Sequence, residues 1–517
     1  MTDSEWLVAA LRRPDAYPHP ADAVEHIETH ISHVFLAGDY AYKVKKPVAL
    51  GFLDFSTLAR RKHFCEEEIR LNGRLAPQIY LGVVAITRGD DGVRVGGEGE
   101  ALEYAVQMRR FPQEGLLTRL PVTAELADRI AERVAQFHAA IPAAPSESDF
   151  GSPEAVIAPM RENFAQIRAR QSAPELLARL DALDAWTLGR WRSLAPVLRA
   201  RRAEGHIREC HGDMHRGNIA LADGELIIFD GIEFNPGLRW IDTLSELAFL
   251  VMDLEEGGEP RPARRLLNRY LELTGDYAGL PVLDLYKVYR AMVRAKVTAI
   301  RLGQGDLTAE EAARDREELG RYLALAESYT RPRSLRLLLT HGASGTGKSR
   351  LALALRERLP LVHIRSDVER KRLFGLAAEA RTGPAGVGGG IYAADAGERT
   401  YARLLALAEV ILAAGYSPLV DAAFLREAQR RPFLALAERR GVPGTILDLH
   451  APESVLRERV AARVAEGQDP SEAGLAVLEH QLRTQEPLTD EERGMALRLD
   501  STAADLMDTL LARLEAA

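Results

Sequence analysis

The feature that most constrains this chain is an eight-residue run, Gly342-Ala343-Ser344-Gly345-Thr346-Gly347-Lys348-Ser349, which fits G-x-x-x-x-G-K-[ST] at every position. It follows an apolar stretch, Leu335-Arg336-Leu337-Leu338-Leu339, and precedes a helical pattern over 350–359. Strand, glycine-rich turn and helix in that order bring backbone N–H groups to a helix N-terminus, where the dipole favours a phosphate. Lys348 is then expected to reach the β- and γ-phosphates of ATP, and the Ser349 hydroxyl to ligate Mg2+.

Downstream, apolar runs at 361–364, 417–420 and 445–449 alternate with helical patterns, which predicts a parallel, doubly wound sheet over 335–517. The run at 361–364 leads into Arg365-Ser366-Asp367, placing Asp367 at a strand end facing the glycine loop. A carboxylate there can orient an acceptor hydroxyl and take its proton. Capping the next helix, by Ser366 or Asp367, is the alternative. Asp421, after Pro418-Leu419-Val420, can hold Mg2+ through water or be a plain strand-end residue. Arg459 and Arg463 share a helical face four residues apart and can clamp transferring phosphates, or form a solvated basic face. With these residues the segment resembles the small P-loop kinases: gluconate kinase, polynucleotide 5′-kinase and the zeta-toxin group. That resemblance implies that Asp367 binds or activates the acceptor and that Arg459 and Arg463 belong to a lid. The segment 375–401, where an acceptor would bind, carries no pattern selective for a substrate.

The first half holds a second constellation. Cys210-His211-Gly212-Asp213-Met214-His215-Arg216-Gly217-Asn218 is followed by Leu226-Ile227-Ile228-Phe229-Asp230. This is an H-G-D-x-x-x-x-N … D arrangement parallel to the catalytic loop and metal aspartate of protein kinases. Asp213 would accept a hydroxyl proton, while Asn218 and Asp230 would ligate the metal bridging the ATP phosphates. Upstream, Tyr40-Ala41-Tyr42-Lys43 makes Lys43 the candidate for the α- and β-phosphates, with Lys45 on the same strand face as the alternative. Glu67, in a predicted helix over 58–75, is the expected partner of that lysine, and Glu68 is nearly as well placed.

Residues 25–330 thus resemble the aminoglycoside phosphotransferase superfamily, including Trp240-Ile241-Asp242 after the metal aspartate. Asp242 itself suits a helix cap or loop anchor better than catalysis. The sequence departs from the kinase pattern ahead of Lys43, where Glu28-Thr29-His30-Ile31-Ser32 stands in place of a G-x-G-x-x-G loop. The fold expected is mixed α/β and α+β. A kinase-like bilobal domain over 1–330 (N-lobe about 25–112, helical C-lobe about 113–330) precedes the P-loop domain, with the boundary at Arg331-Pro332-Arg333-Ser334.

Composition narrows the partners. Hydrophobic residues at 46% and charged residues at 27% suit a globular protein. The net charge of −8 weighs against a surface that coats long nucleic acid, although a 5′-hydroxyl end remains an acceptor to consider. Two distant cysteines, Cys65 and Cys210, make neither a disulfide framework nor a zinc spacing. With no signal-peptide pattern at the start and no membrane-length apolar run, the expected compartment is the cytoplasm.

The functional expectation is a two-headed kinase using Mg2+ and ATP on small hydroxylated acceptors such as sugars, or on a nucleotide 5′-hydroxyl. The alternative is a regulatory ATP-binding protein, with a ligand-sensing kinase-like half and a P-loop switch. A mechanical AAA-type ATPase fits less well, since no D-E strand end follows the glycine loop.

Overall fold

In the computed structural model, residues 3–50, 53–89, 92–303, 307–377, 380, 394–466 and 474–516 are described. Most of the segment 375–401 lies outside them. The chain forms two compact units, one of residues 1–258 and 285–327, the other of 259–284 and 328–517. Residues 259–284, which the sequence pattern assigns to the first half, belong with the second unit.

The first unit opens with strands β1 (Val24–Glu28), β2 (Ser32–Ala37) and β3 (Tyr40–Lys45). β4 (Tyr80–Gly89), β5 (Gly92–Val95) and β6 (Ala101–Arg109) complete an antiparallel sheet in the order β1-β2-β3-β6-β4-β5. The β2–β3 hairpin turns at Gly38-Asp39, where Gly38 has φ +54 and an added Cβ would lie 2.8 Å from the Pro20 carbonyl oxygen. Alternation along β3 sends Tyr42 and Val44 into an apolar core with Phe35, Ala37 and Ala105. Lys43 and Lys45 face the other way, toward the helix Leu58–Asn72, which Thr57 caps by accepting from Arg60 N–H.

Helices dominate the remainder of this unit. A short hairpin interrupts them, β7 (Ile219–Ala222) with β8 (Glu225–Ile228), turning at Asp223-Gly224. Both turn residues have positive φ, +51 and +79, as a two-residue hairpin of this hand requires. Asp242 caps the buried helix Thr243–Glu256 through Leu244 N–H and takes both arms of Arg201 at 2.6 and 2.7 Å, the anchoring role expected of it.

The second unit is a five-stranded sheet. Its strands are β9 (Leu337–His341), β10 (Leu361–Arg365), β11 (Ser417–Asp421), β12 (Gly444–His450) and β13 (Ala496–Asp500), in the order β10-β11-β9-β12-β13. Every pair is parallel. Leucines 338, 351, 355, 419, 447 and 510 fill one core with almost no exposed surface. Because strands of a parallel sheet are covered on both faces, they read as continuous apolar runs. β13 escapes that signal: Ala496-Leu497-Arg498-Leu499-Asp500 alternates, as an edge strand does.

Candidate active sites

In the first unit the strand, helix and loop elements bring four predicted residues together. Lys43 Nζ donates to Glu68 Oε1 at 2.9 Å and to Asp230 Oδ1 at 2.6 Å. Lys45 Nζ donates to Glu68 Oε2 at 2.7 Å and also pairs with Glu233. Glu68, not Glu67, is therefore the helix partner of the strand lysines. Glu67 lies one position round the helix and holds Arg70 at 2.8 Å and Arg239 at 3.5 Å. The two strand lysines thus share one buried carboxylate. Burial pushes the Glu68 carboxyl up, but Lys43 and Lys45 outweigh it and bring it down to about 2. Glu233, three residues after Asp230, had no sequence signal beyond that proximity.

Asp230 lies just beyond β8 with φ +62, a left-handed conformation that aspartate tolerates better than most residues. Its N–H donates to the Tyr80 hydroxyl at 3.0 Å, and the next N–H, of Gly231, donates to Asn72 Oδ1 at 2.7 Å. These bonds fix the backbone that presents the carboxylate. The Asn218 amide donates to the Asp213 carbonyl at 3.0 Å and to Asp213 Oδ2 at 3.1 Å, so the five-residue spacing does turn back on itself. Burial raises the Asp213 carboxyl, yet His215 at 3.5 Å, with Arg290, holds it well below the usual range. His211 is buried, and its two ring nitrogens lie 2.9 Å from the Phe229 carbonyl and 3.3 Å from Asp213 N–H. One neutral tautomer satisfies both partners, donating to the carbonyl and accepting from the amide. Glu246, also buried, accepts from Gly212 N–H at 2.7 Å, and Arg290 donates to the Gly212 carbonyl at 3.0 Å. No periodicity marked these two supports, because they sit in continuous buried helices.

Ahead of Lys43, the glycine-free turn between β1 and β2 is closed by Thr29. Its N–H donates to the Ser32 carbonyl at 2.9 Å and its hydroxyl accepts from Ser32 N–H at 3.0 Å.

In the second unit the glycine loop has the backbone its sequence requires, with Gly342, Gly345 and Gly347 at φ +138, +86 and +88. The loop packs closely: a Cβ on Gly345 would lie 2.7 Å from the Leu456 carbonyl oxygen. Lys348 Nζ donates to the Ala343 carbonyl at 2.8 Å, as does the Thr346 hydroxyl. Burial brings the Lys348 ammonium down to about 8, against the pull of Asp421 and Asp367. Burial raises the Asp421 carboxyl, but His363 first, then Arg365 and the nearby Ser349 hydroxyl, hold it down to about 2. A serine hydroxyl and a carboxylate are hard oxygen donors and fit Mg2+.

Asp367 sits in the first turn of the helix Ser366–Leu373, whose cap position is Arg365, so capping by Ser366 or Asp367 is not what the helix uses. Arg459 donates to the Gly345 carbonyl at 3.3 Å and to Ser501 Oγ at 2.9 Å, bringing its helix, Glu453–Glu466, onto the glycine loop. Arg463 lies on the same helix, near enough for its charge to act on Lys348. Sequence reasoning missed Gln481, whose Oε1 accepts from Ser344 N–H at 2.7 Å.

Among the described residues no helix is long and apolar enough to cross a membrane. Residues 52–286 match the model of the Phosphotransferase enzyme family and residues 337–488 that of an AAA domain. Uncharacterized protein Rv2004c of Mycobacterium tuberculosis is 33% identical over 466 residues, covering 88% of this chain and 89% of its own. Among solved structures, a gluconokinase from Sinorhizobium meliloti 1021 is 23% identical, covers 36% of this chain and 95% of its own, and has a TM-score of 0.26. Amicoumacin kinase hAmiN, solved with AMP-PNP, Ca2+ and Ami, is 13% identical, covers 63% of this chain and 94% of its own, and has a TM-score of 0.39. Matched along nearly its whole length, the chain belongs to the family of the mycobacterial protein, and it joins a domain that matches the Phosphotransferase enzyme family to a P-loop domain that matches an AAA domain.

Proposed function

We propose that the protein is an ATP-dependent phosphotransferase with two sites, each moving the γ-phosphate of ATP to a hydroxyl of a small acceptor such as a sugar. A nucleotide or nucleic-acid 5′-hydroxyl is the second acceptor class. One observation carries the reading: each unit sets a lysine among carboxylates from separate elements. Lys43 joins Glu68 to Asp230, and Lys348 lies in the field of Asp421 and Asp367.

The chemistry divided among these residues is positioning and charge stabilisation. Lys43 and Lys348 hold phosphate oxygens, and Arg459 and Arg463 add positive charge over the second site. Asn218 and Asp230 would hold Mg2+ in one unit and Ser349 and Asp421 in the other, where it would neutralise phosphate charge. As the acceptor oxygen bonds to the γ-phosphorus, the bond to the bridging oxygen breaks and ADP leaves with the electron pair. The hydroxyl proton passes to Asp213 in the first unit or Asp367 in the second. A carboxylate held as low as Asp213 is a weak base, so its main work is to orient the hydroxyl, with the proton arriving late. Two buried free cysteines suit a reducing compartment, and we place the activity in the cytoplasm.

The test is transfer of labelled phosphate from ATP to a panel of sugars, amino sugars, nucleosides and 5′-hydroxyl oligonucleotides. Wild type is expected to label at least one acceptor, with Asp213→Ala and Lys348→Ala each losing a different product. Calorimetric titration is expected to find two nucleotides per chain, one of them lost in Lys348→Ala. A single nucleotide, lost altogether in that variant, would sink the two-site reading and leave the first unit as a ligand sensor. The glycine-free Thr29 turn favours that second reading.

A further inference from the structure

Residues 259–284 stand in sequence between the two stretches of the first unit, yet they are tied to the P-loop sheet along their length. The helix Pro260–Thr274 covers the edge strand β10. His363 N–H donates to Asn268 Oδ1 at 2.8 Å, and Asn268 Nδ2 donates to the Leu361 carbonyl at 3.0 Å, so one side chain bonds the edge as another strand would. Arg264 donates to the carbonyls of Glu357 and Arg358, at 3.0 and 2.9 Å, at the end of the helix Lys348–Arg358. Asp284 takes both arms of Arg333 at 2.8 Å and the Tyr416 hydroxyl at 2.8 Å.

Within this cover lies a buried carboxylate. The Glu272 side chain, 5% exposed, stands 2.7 Å from Arg269, 3.6 Å from Arg356 and 3.8 Å from Arg365. Burial pushes its carboxyl up, but Arg365 first, then Arg356 and Arg269, hold it below the usual range, so it is ionised. Arg365 is the register partner of Asp421 across β10 and β11 and lies 3.9 Å from that carboxylate, with His363 at 3.4 Å. One guanidinium is thus shared between Glu272 and Asp421.

We propose that Glu272 is a positioning residue of the P-loop site, holding Arg365 back from Asp421 so that this carboxylate is presented to the metal beside Ser349. The inference rests on the reading of Ser349 and Asp421 as the Mg2+ site. Charge-assisted pairs close to about 2.7–2.9 Å when nothing competes for the donor. Loss of the Glu272 charge lets Arg365 move toward Asp421, where a guanidinium competes directly with a divalent cation for the same oxygens. A helix that served only as edge cover would need Asn268 and Arg264 but no carboxylate at this point.

The experiment measures ADP affinity with and without Mg2+ by calorimetry on the full-length chain, in an Asp230→Ala background that disables the other metal carboxylate. Glu272→Gln is expected to lose about ten- to a hundredfold of the Mg2+-dependent gain in affinity, the usual effect of disturbing a group behind a metal ligand. Metal-free affinity should stay as it was. Glu272→Gln combined with Arg365→Gln is expected to regain the Mg2+ response, because the competing charge is gone. Asn268→Ala, which removes cover and no charge, is expected to keep it. An unchanged Mg2+ response in Glu272→Gln, or no recovery in the double variant, overturns the inference. If Glu272→Gln fails to fold, Arg365→Gln alone decides: Mg2+ binding weaker than wild type overturns it. Nucleotide binding in the same background that survives Lys348→Ala unchanged overturns the site reading itself, a result distinguishable from failure of the Glu272 step alone.

Discussion

Removing Glu68 would leave the ammonium groups of Lys43 and Lys45 in a site where the Lys45 side chain has no exposed surface, with only Asp230 and Glu233 to balance them. Breaking a buried ion pair by deleting one partner costs about 3–5 kcal/mol. Glu67→Ala breaks more exposed pairs, to Arg70 and Arg239, and should cost about 1 kcal/mol or less. All four tryptophans, Trp6, Trp186, Trp191 and Trp240, lie in the first unit, so urea unfolding followed by their fluorescence compares the two variants directly. Equal losses would contradict the assignment of Glu68. The same carboxyl gives a pH dependence. Its folded value of about 2 lies below the ordinary 4.5, so its contribution is fully present above pH 4.5 and is lost as pH falls toward 2. Glu233 works the other way, since burial raises it and its charge opposes folding at neutral pH. The net expectation for Glu68→Gln is a lower urea midpoint at pH 7 and a shallower loss between pH 4.5 and 2 than in wild type.

Elements decide which of these residues were legible in the sequence. The glycine loop was readable in full because positive-φ positions admit few residue types, and the strand and helix on either side follow from their patterns. Gly345→Ala tests how far that goes. Its φ of +86 strains any other residue, and its Cβ would meet the Leu456 backbone at 2.7 Å, so the helix bearing Arg459 must move. Gly415→Ala has a similar φ of +85 but meets nothing within 4 Å. Gly415→Ala is expected to cost about 1 kcal/mol in stability and leave nucleotide binding alone. Gly345→Ala should abolish binding in the second unit, as read by titration with ADP. By the same reasoning Asp213, Asn218 and Asp230 were readable, because loop chemistry fixes their spacing, while Lys43 was marked by its strand motif. The choice between Glu67 and Glu68 was not. Neighbouring helix positions differ by a rotation that only packing sets, and the charged run Glu66-Glu67-Glu68 has no apolar residue to mark the inner face. β1 and β13 fall below the pattern as well, being short, edge-placed and half polar. Glu246, Arg290 and Gln481 act through backbone groups far away in sequence, a relation that no spacing rule records.

Across the whole molecule, the sequence boundary at 331–334 and the structural unit disagree about one stretch, and the disagreement has a measurable consequence. A fragment of residues 335–517 keeps every strand of the parallel sheet but loses Asn268, Arg264, Glu272 and Asp284. The β10 edge would then expose the Leu361 carbonyl and the His363 N–H that Asn268 now satisfies. It would also leave Arg356, which is 2% exposed, without the Glu272 charge. Unsatisfied polar groups cost about 1–3 kcal/mol each when they stay buried, and an apolar edge strand freed of its cover is a template for pairing with another chain. The fragment is expected to melt below the P-loop transition of the full chain and to aggregate on heating, whereas loss of the linker alone would change neither. Scanning calorimetry of the full chain and of the fragment, with ADP and Mg2+ to mark the P-loop transition, separates the two cases. A fragment that melts at the same temperature and stays monomeric would make residues 259–284 dispensable cover. A lower transition would mean that the second unit depends for its stability on a segment contributed from within the first unit's stretch of sequence.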